Sequence, residues 1–326
     1  MRFIETWTSA TLLATRDLTP GIREFLLRPD GFAGAPYPVG SHIDVGVTID
    51  GQPQTRSYSL VGEVDPQGFR IAVRRAPDSR GGSHYMWSLG PGARLNITLP
   101  TSLVQLDWTR RQFCLNAGGI GITPIVGAAQ VLARRDAGVT LHYAVRTRSD
   151  AAYLDRLERL LGDRLIVHAG DEDKRLDLEG VFANLPQGTM TLFCGPMRML
   201  DAARRAWEAS GHPMIDLRYE TFGSSGLLPT EAFRVRLKGE GTEFVIPRDR
   251  SMLDVLNEAG HEVMSDCRRG ECGVCALDVV DVDGEIDHRD VFFSEHQKRE
   301  SRKICACVSR ARGTITVDTL HRADTP

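Results

Sequence analysis

Phe113-Cys-Leu-Asn-Ala-Gly-Gly-Ile-Gly-Ile-Thr-Pro-Ile-Val-Gly-Ala-Ala-Gln-Val-Leu-Ala133 runs without a charged residue. A stretch of that length can cross a bilayer as a single helix. It can equally be a buried strand, a glycine turn and a buried helix. Asn116, Thr123, Pro124 and Gln130, with several glycines, favour the second reading. Residues 117–124 are then a strand-to-helix turn, and the fold of the whole middle region follows from it.

Downstream of this turn the same rhythm repeats. Apolar runs at 113–117, 141–145, 165–168, 190–194 and 215–219 read as strands. Helical periodicity lies between several of them, at 124–135, 151–161 and 197–210. Strands alternating with helices imply βαβ units and an α/β doubly wound parallel sheet, whose ligands sit at the carboxyl ends of the strands. Upstream, residues 5–107 show short alternating segments, for example 22–27, 43–49, 69–75 and 93–99, broken by Gly, Pro and Asp. That pattern predicts an antiparallel β-barrel or sandwich with one short helix near 83–89. The Gly-, Ser- and Pro-rich stretch at 223–231 reads as a linker. Beyond it come a hairpin at 233–246, a helix at 251–259, a cysteine loop, and strands at 276–282 and 314–317. The expected domains are therefore 1–108, 109–222 and 232–326.

Composition sets bounds on what such a chain does. A formal net charge of −3 over 326 residues argues for no nucleic acid and no anionic membrane as partner. The first residues carry no apolar core and no cleavage site of a secretory signal. Seven cysteines, an odd number, four of them in one pattern, argue for a reducing, cytoplasmic setting rather than a disulfide framework.

That pattern is Cys267-Arg-Arg-Gly-Glu-Cys272-Gly-Val-Cys275 with a further cysteine about thirty residues on. It is the plant-type [2Fe–2S] spacing. Gly270 and Gly273 allow the tight loop such a cluster needs, and Arg268 and Arg269 flank it. Zinc is the lesser alternative, because structural zinc sites favour paired C-x2-C knuckles and only one is present. Cys305 and Cys307 both qualify by spacing as the fourth ligand. In an extended strand they share a face, so alternation does not separate them.

Arg56-Ser-Tyr-Ser59 sits on an expected barrel strand, and Arg80-Gly-Gly-Ser83 precedes the short helix. The pair suits a flavin: Arg56, Gly81, Gly82 and Ser83 for its phosphate, Tyr58 against the ring, and Ser59 near the nitrogen where hydride arrives. Ala117-Gly-Gly-Ile-Gly-Ile-Thr-Pro124 suits a nicotinamide dinucleotide, with Gly118, Gly119, Gly121 and Thr123 facing the pyrophosphate. Cys194-Gly195-Pro196-Met197, at another strand end, would bring a thiol beside the nicotinamide. Arg146-Thr-Arg148-Ser-Asp150 follows the second strand, where an acidic residue would hold a ribose 2′-hydroxyl. Its arginines suit pyrophosphate or a 2′-phosphate equally, so these residues leave NADH against NADPH open.

Taken in order, these motifs resemble the phthalate dioxygenase reductase family, which includes vanillate demethylase reductases. Glu220-Thr-Phe222, Gly284-Glu-Ile-Asp-His-Arg-Asp290 and Cys307-Val-Ser-Arg310 extend the resemblance over nearly the whole chain. It implies a flavin barrel, an NAD domain and a C-terminal α+β ferredoxin domain of the β-grasp type. It further implies FMN rather than FAD, NADH as donor, and a Rieske-type oxygenase as acceptor. Cys307 becomes the fourth cluster ligand beside Cys267, Cys272 and Cys275, leaving Cys305 as a small buried hydrophobe. Phe222 becomes a cover for the flavin ring. Val73 and Arg74 become flavin-binding residues; Arg74 falls where the family often carries a lysine near the flavin phosphate, and arginine keeps the charge with a different geometry. His288 and Arg289 are read either as a phosphate or partner contact or as a turn bracing the cluster domain.

The resulting expectation is a reductase. NADH passes hydride to FMN, and the cluster carries electrons singly to a separate oxygenase. Ser59, Cys194 and Glu220 tune the reacting centre, and positioning is most of the protein's contribution. Rival readings are an FAD reductase serving a cytochrome P450 and a zinc-binding regulatory module. A carrier that docks transiently is expected to be a monomer. Aromatic acids and methoxylated aromatics are the substrates that the resemblance suggests for the oxygenase.

Overall fold

The computed structural model describes residues 6–319 apart from 78, 80, 103–105, 136, 223–227, 229 and 240. Most of the expected linker, and Arg80, thus lie outside the described residues. The chain divides into two compact units at the Glu220–Thr221 peptide bond.

The first unit opens with strands β1 (Trp7–Thr19), β2 (Ile22–Pro29), β3 (Ser41–Ile49), β4 (Gln52–Ser59) and β5 (Phe69–Arg74). Helix α1 (Gly82–Ser88) and strands β6 (Arg94–Thr98) and β7 (Thr101–Ser102) follow. The sheet is antiparallel with order β4-β3-β6-β1-β2-β5, and β7 pairs with β3. A bridge between Leu60 and Ile71, with Val61 N–H donating to Arg70 O at 2.8 Å, joins its two ends into a barrel. Strict alternation puts Ile43, Val45, Val47 and Ile49 of β3 in the core with Phe25, Ile71, Met86 and Ile97. The β3–β4 hairpin turns on Asp50-Gly51, both at positive φ, the backbone that a two-residue I′ loop requires. The long β1 carries two register shifts, between Leu12 and Ala14 and between Asp17 and Thr19.

Next come β8 (Gln112–Gly118), α2 (Ile122–Arg134), β9 (Gly138–Val145), α3 (Leu154–Leu161) and β10 (Leu165–Ala169). They are followed by α4 (Leu178–Ala183), β11 (Met190–Cys194), α5 (Met197–Ala209) and β12 (Leu217–Glu220). All five strands are parallel, in the order β10-β9-β8-β11-β12. The uncharged stretch 113–133 is strand, glycine turn and helix, and among the described residues no helix is long and apolar enough to cross a membrane.

Three local expectations change. The helix expected from 151 starts at Leu154, because Tyr153 adopts left-handed backbone at φ 63°. The strand expected from 215 starts at Leu217; Met214–Asp216 form a 3-10 turn, and Ile215 is 63% exposed, so its apolarity did not mark a strand. Helix α4 was not anticipated, although Asp177 caps it by accepting the Gly180 N–H at 3.0 Å.

His142 of β9 and His168 of β10 meet at 3.1 Å between Nδ1 and Nε2, with stacked rings. Burial, with His168 beside it, pulls the His142 pKa down from 6.5 to about 4. The unfolded chain therefore takes up this proton first as pH falls, so the stability contributed by neutral His142 is full above pH 6.5 and is lost toward pH 4. Urea midpoints at about pH 7.5 and about pH 5 should differ by less in His142→Asn than in the wild type. An unchanged difference would remove His142 as a source of acid sensitivity.

The second unit contains β13 (Phe233–Leu237), β14 (Glu243–Ile246), α6 (Met252–Glu258), β15 (Ala276–Asp287), α7 (Glu295–Glu300), β16 (Lys303–Cys305) and β17 (Arg310–Asp318). Its mixed sheet runs β14-β13-β17-β15-β16, with β13 and β17 parallel. Ser251 caps α6 by accepting the Asp254 N–H, and Met252, Leu253 and Leu256 pack on Val235, Ile315 and Val317. Helix α7 was not expected; Ser294 and Gln297 cap it reciprocally.

Candidate functional site

The carboxyl ends of β8, β11 and β12 bring Ala117, Cys194 and Glu220 into one register row. Ser59, at the end of barrel strand β4, donates its hydroxyl to Glu220 Oε1 at 2.9 Å. Ser59, Cys194 and Glu220 are all buried. Three residues singled out separately in the sequence thus lie at one corner of the first unit. Strand β5 packs against the glycine turn at Gly119–Gly121, so both cofactor motifs border the same place.

The two nucleotide motifs interlock. A Cβ on Gly121 would lie 2.1 Å from the Cys194 carbonyl oxygen, and one on Gly118 would lie 2.7 Å from Pro196 Cδ. Gly195 faces Gly118 at 3.2 Å by the same measure. These glycines let two strand-to-helix turns pack together. Gly119 differs: at φ +55° it faces open space, and it is the glycine of this turn with room for a ligand. Thr123 Oγ1 donates to Ile120 O, closing the first turn of α2.

On the barrel, Arg56 lies across Gly82, where a Cβ would come within 2.8 Å of its Cγ and Nε. The guanidinium donates to Thr55 O and Gln54 Oε1. Gly81 sits at φ +85° against Ile49, and Ser83 Oγ donates to Ser79 and accepts the Ala76 N–H. A cationic side chain along a side-chain-free backbone suits a phosphate. Burial raises the Tyr58 pKa, which keeps its hydroxyl neutral. Val73 points into the barrel core, its carbonyl accepting Trp87 Nε1–H, while Arg74 is exposed.

At the ends of β9 and β10, Arg146 O accepts the Asp171 N–H and the Arg148 N–H donates to Asp171 Oδ1 at 3.0 Å. Arg148 also pairs with Glu158 and Glu172. The loop after β10 thus brings an acidic residue, Asp171, to the end of β9.

In the second unit, Cys275 and Cys307 Sγ lie 3.2 Å apart, and the Cys272 thiol bonds to Cys267. Cys267 Sγ accepts N–H groups from Arg269, Glu271 and Cys272, each at 3.4 Å. Donation from Cys305 and Cys307 pulls the Cys275 pKa down to about 3 and pushes theirs up. Among the described residues no three His, Cys, Asp or Glu side chains converge on one ion position. Two thiol pairs, 267/272 and 275/307, suit two irons with two thiolates each, and N–H donors suit charged sulfur. Strand β16 ends at Cys305 and a turn follows, so the shared-face premise for Cys305 and Cys307 does not apply.

Residues 287–293 brace both halves of this set. Val291 N–H donates to Gly270 O, and Asp290 accepts Ser309 Oγ–H and the Phe293 N–H. Arg289, 3% exposed, binds Asp287, Leu228 O and Thr230, so it is a brace rather than a surface contact. Sequence reading passed over Glu271, whose carboxylate accepts the Thr221 N–H and hydroxyl and pairs with Arg269. An acid beside two arginines inside the cysteine loop was the available signal. Phe222 is half-buried.

Comparison with known proteins bears on this geometry. The family described as 2Fe-2S iron-sulfur cluster binding domain matches residues 235–312, and the oxidoreductase NAD-binding domain matches residues 115–205. The chain is 34% identical to the heme-dependent oxidative N-demethylase beta subunit of Ectopseudomonas mendocina (strain ymp), over 95% of this chain and 98% of that one. It is 33% identical to the vanillate O-demethylase oxidoreductase of Pseudomonas sp. (strain HR199), over 96% and 99%. A solved phthalate dioxygenase reductase, described as modular for electron transfer from pyridine nucleotides to [2Fe–2S], superposes with a TM-score of 0.74. That match has 30% identity and covers 96% of this chain and 98% of that one.

Proposed function

This chain belongs to the phthalate dioxygenase reductase family, and from that premise we propose that it delivers electrons one at a time from NADH to a separate Rieske-type oxygenase. It is an NADH-dependent oxidoreductase, the reductase component of an oxygenase system, with FMN, NADH and a [2Fe–2S] cluster as cofactors. Bound together, flavin and cluster supply the conversion of a two-electron donor into single electrons.

The observation that carries the reading is the 2.9 Å bond from Ser59 Oγ to Glu220 Oε1, at the row shared with Cys194. Because its O–H donates to Glu220, the Ser59 oxygen keeps lone pairs that could accept an N–H from a bound flavin. Arg56 beside Gly82 would hold the phosphate, and Gly119 leaves room for a pyrophosphate. Cys194 is fully buried, and its strand end would form the floor of the nicotinamide position. Cys267, Cys272, Cys275 and Cys307 would hold the cluster.

Ser59→Ala should slow anaerobic reduction of the flavin by NADH by roughly 10²-fold, the scale of a lost positioning contact. NADH affinity should change little. Reduction at the wild-type rate would sink the role given to this corner. A heme-containing oxygenase is the second reading for the acceptor, favoured by the similarity to the heme-dependent N-demethylase subunit. Turnover reconstituted with purified Rieske and heme oxygenases separates the two.

A further inference from the structure

Glu24 breaks the apolar run of β2 yet is only 3% exposed, and Tyr153 is a bulky residue held in left-handed backbone. Each is unusual alone, since charged side chains are rarely buried unpaired and non-glycine residues rarely adopt that conformation. They are the two ends of one contact. Tyr153 Oη donates to Glu24 Oε2 at 2.9 Å, while Arg16 and Arg70 approach Oε1, each at 3.2 Å. Arg70 is itself fixed by Asp65.

The partners come from different halves of the first unit. Glu24 pairs in register with Ala72 of β5, the strand that packs on the glycine turn. Tyr153 immediately precedes α3, and its carbonyl accepts the Leu157 N–H that starts the helix. A second seat lies nearby. A Cβ on Gly127 of α2 would sit 2.9 Å from Gly62 O in the barrel loop, and Arg134 pairs with Glu63. Two glycine backbones in contact can slide; a phenol donating to a buried carboxylate cannot without leaving that charge short of a donor.

We propose that the Tyr153–Glu24 pair is a clasp that fixes the nucleotide-binding half on the barrel, making Tyr153 a positioning residue for nicotinamide over flavin. The left-handed backbone of Tyr153 is strain that the clasp holds in place. The flavin part of this inference rests on the function proposed above; the clasp itself does not.

The test uses the full-length holoprotein. Tyr153→Phe keeps the ring and removes the donor; Glu24→Gln keeps the shape and removes the charge. Both should raise hydrogen–deuterium exchange together at residues 60–64 and 153–157. Both should also slow flavin reduction by NADH by roughly 10- to 100-fold and weaken the long-wavelength charge-transfer absorbance. Affinity for ADP-ribose, a probe confined to the nucleotide half, should stay the same. Unchanged exchange in both variants overturns the clasp. Raised exchange with wild-type reduction and absorbance overturns the positioning role. A wild-type flavin that NADH does not reduce counts against the proposed function instead, and the exchange result then decides the clasp alone.

Discussion

Cys272→Ser is expected to leave NADH oxidation with ferricyanide intact and to remove nearly all transfer to cytochrome c or to an oxygenase. The four thiols stand as two pairs, and serine at 272 deprives one pair of a soft ligand. The first unit, which holds the proposed flavin and nucleotide residues, contains none of the four. Two-electron acceptance at the flavin should therefore survive. Undiminished transfer to cytochrome c would refute the relay. The same assay distinguishes the late cysteines. Cys307→Ala should behave like Cys272→Ser. Cys305→Ala should keep its iron and most of its transfer, because the family motif puts the fourth ligand at Cys307, while Cys305, though it also hydrogen-bonds Cys275, ends strand β16.

Gly121→Ala is expected to have the largest effect in the first unit. Its new Cβ would meet the Cys194 carbonyl oxygen at 2.1 Å, the carbonyl carbon at 2.5 Å and Gly195 N at 2.9 Å. All three are backbone atoms at a buried strand end, so no side chain can swing away. The ends of β8 and β11 must separate, at a cost of about 1–3 kcal/mol or more for overpacking. Urea unfolding reads that loss, and NADH-dependent flavin reduction should fall with it because the Cys194–Glu220 row is displaced. Gly119→Ala is the contrast. Its side chain meets nothing within 4 Å, so the cost is the left-handed backbone alone, about 1–2 kcal/mol. That variant should fold and show a raised KM for NADH, since the methyl group projects where a dinucleotide backbone is expected. Equal effects at both positions would mean that packing and binding are not divided between these glycines.

The contrast shows where sequence reading stopped. In the letters, Gly118, Gly119 and Gly121 form one motif with one purpose; only the fold reveals that two of them face another turn some seventy-five residues on. Period and composition made the barrel, the parallel sheet and the cysteine loop legible, because burial on one face leaves a local record in every strand and helix. Boundaries failed where a single residue contradicted its neighbours, as at exposed Ile215 or left-handed Tyr153. The Glu24–Tyr153 bond could not be read at all, since its partners are 129 positions apart and neither belongs to a motif. Cys305 and Cys307 are inseparable by spacing, since alternation holds only along an extended strand and the chain turns after Cys305.

The backbone around Thr221 bears on how such proteins can be recombined. Thr221 is tied to the cysteine loop through Glu271, and Leu228, Thr230 and Glu231 are held by Arg289 and Arg310. A graft that exchanges this ferredoxin for another at the glycine–serine tract would cut between Thr221 and Glu271, sever that tie and leave the loop without this anchor. The transplantable cassette is expected to begin at Thr221, one peptide bond after the carboxylate that orients Ser59.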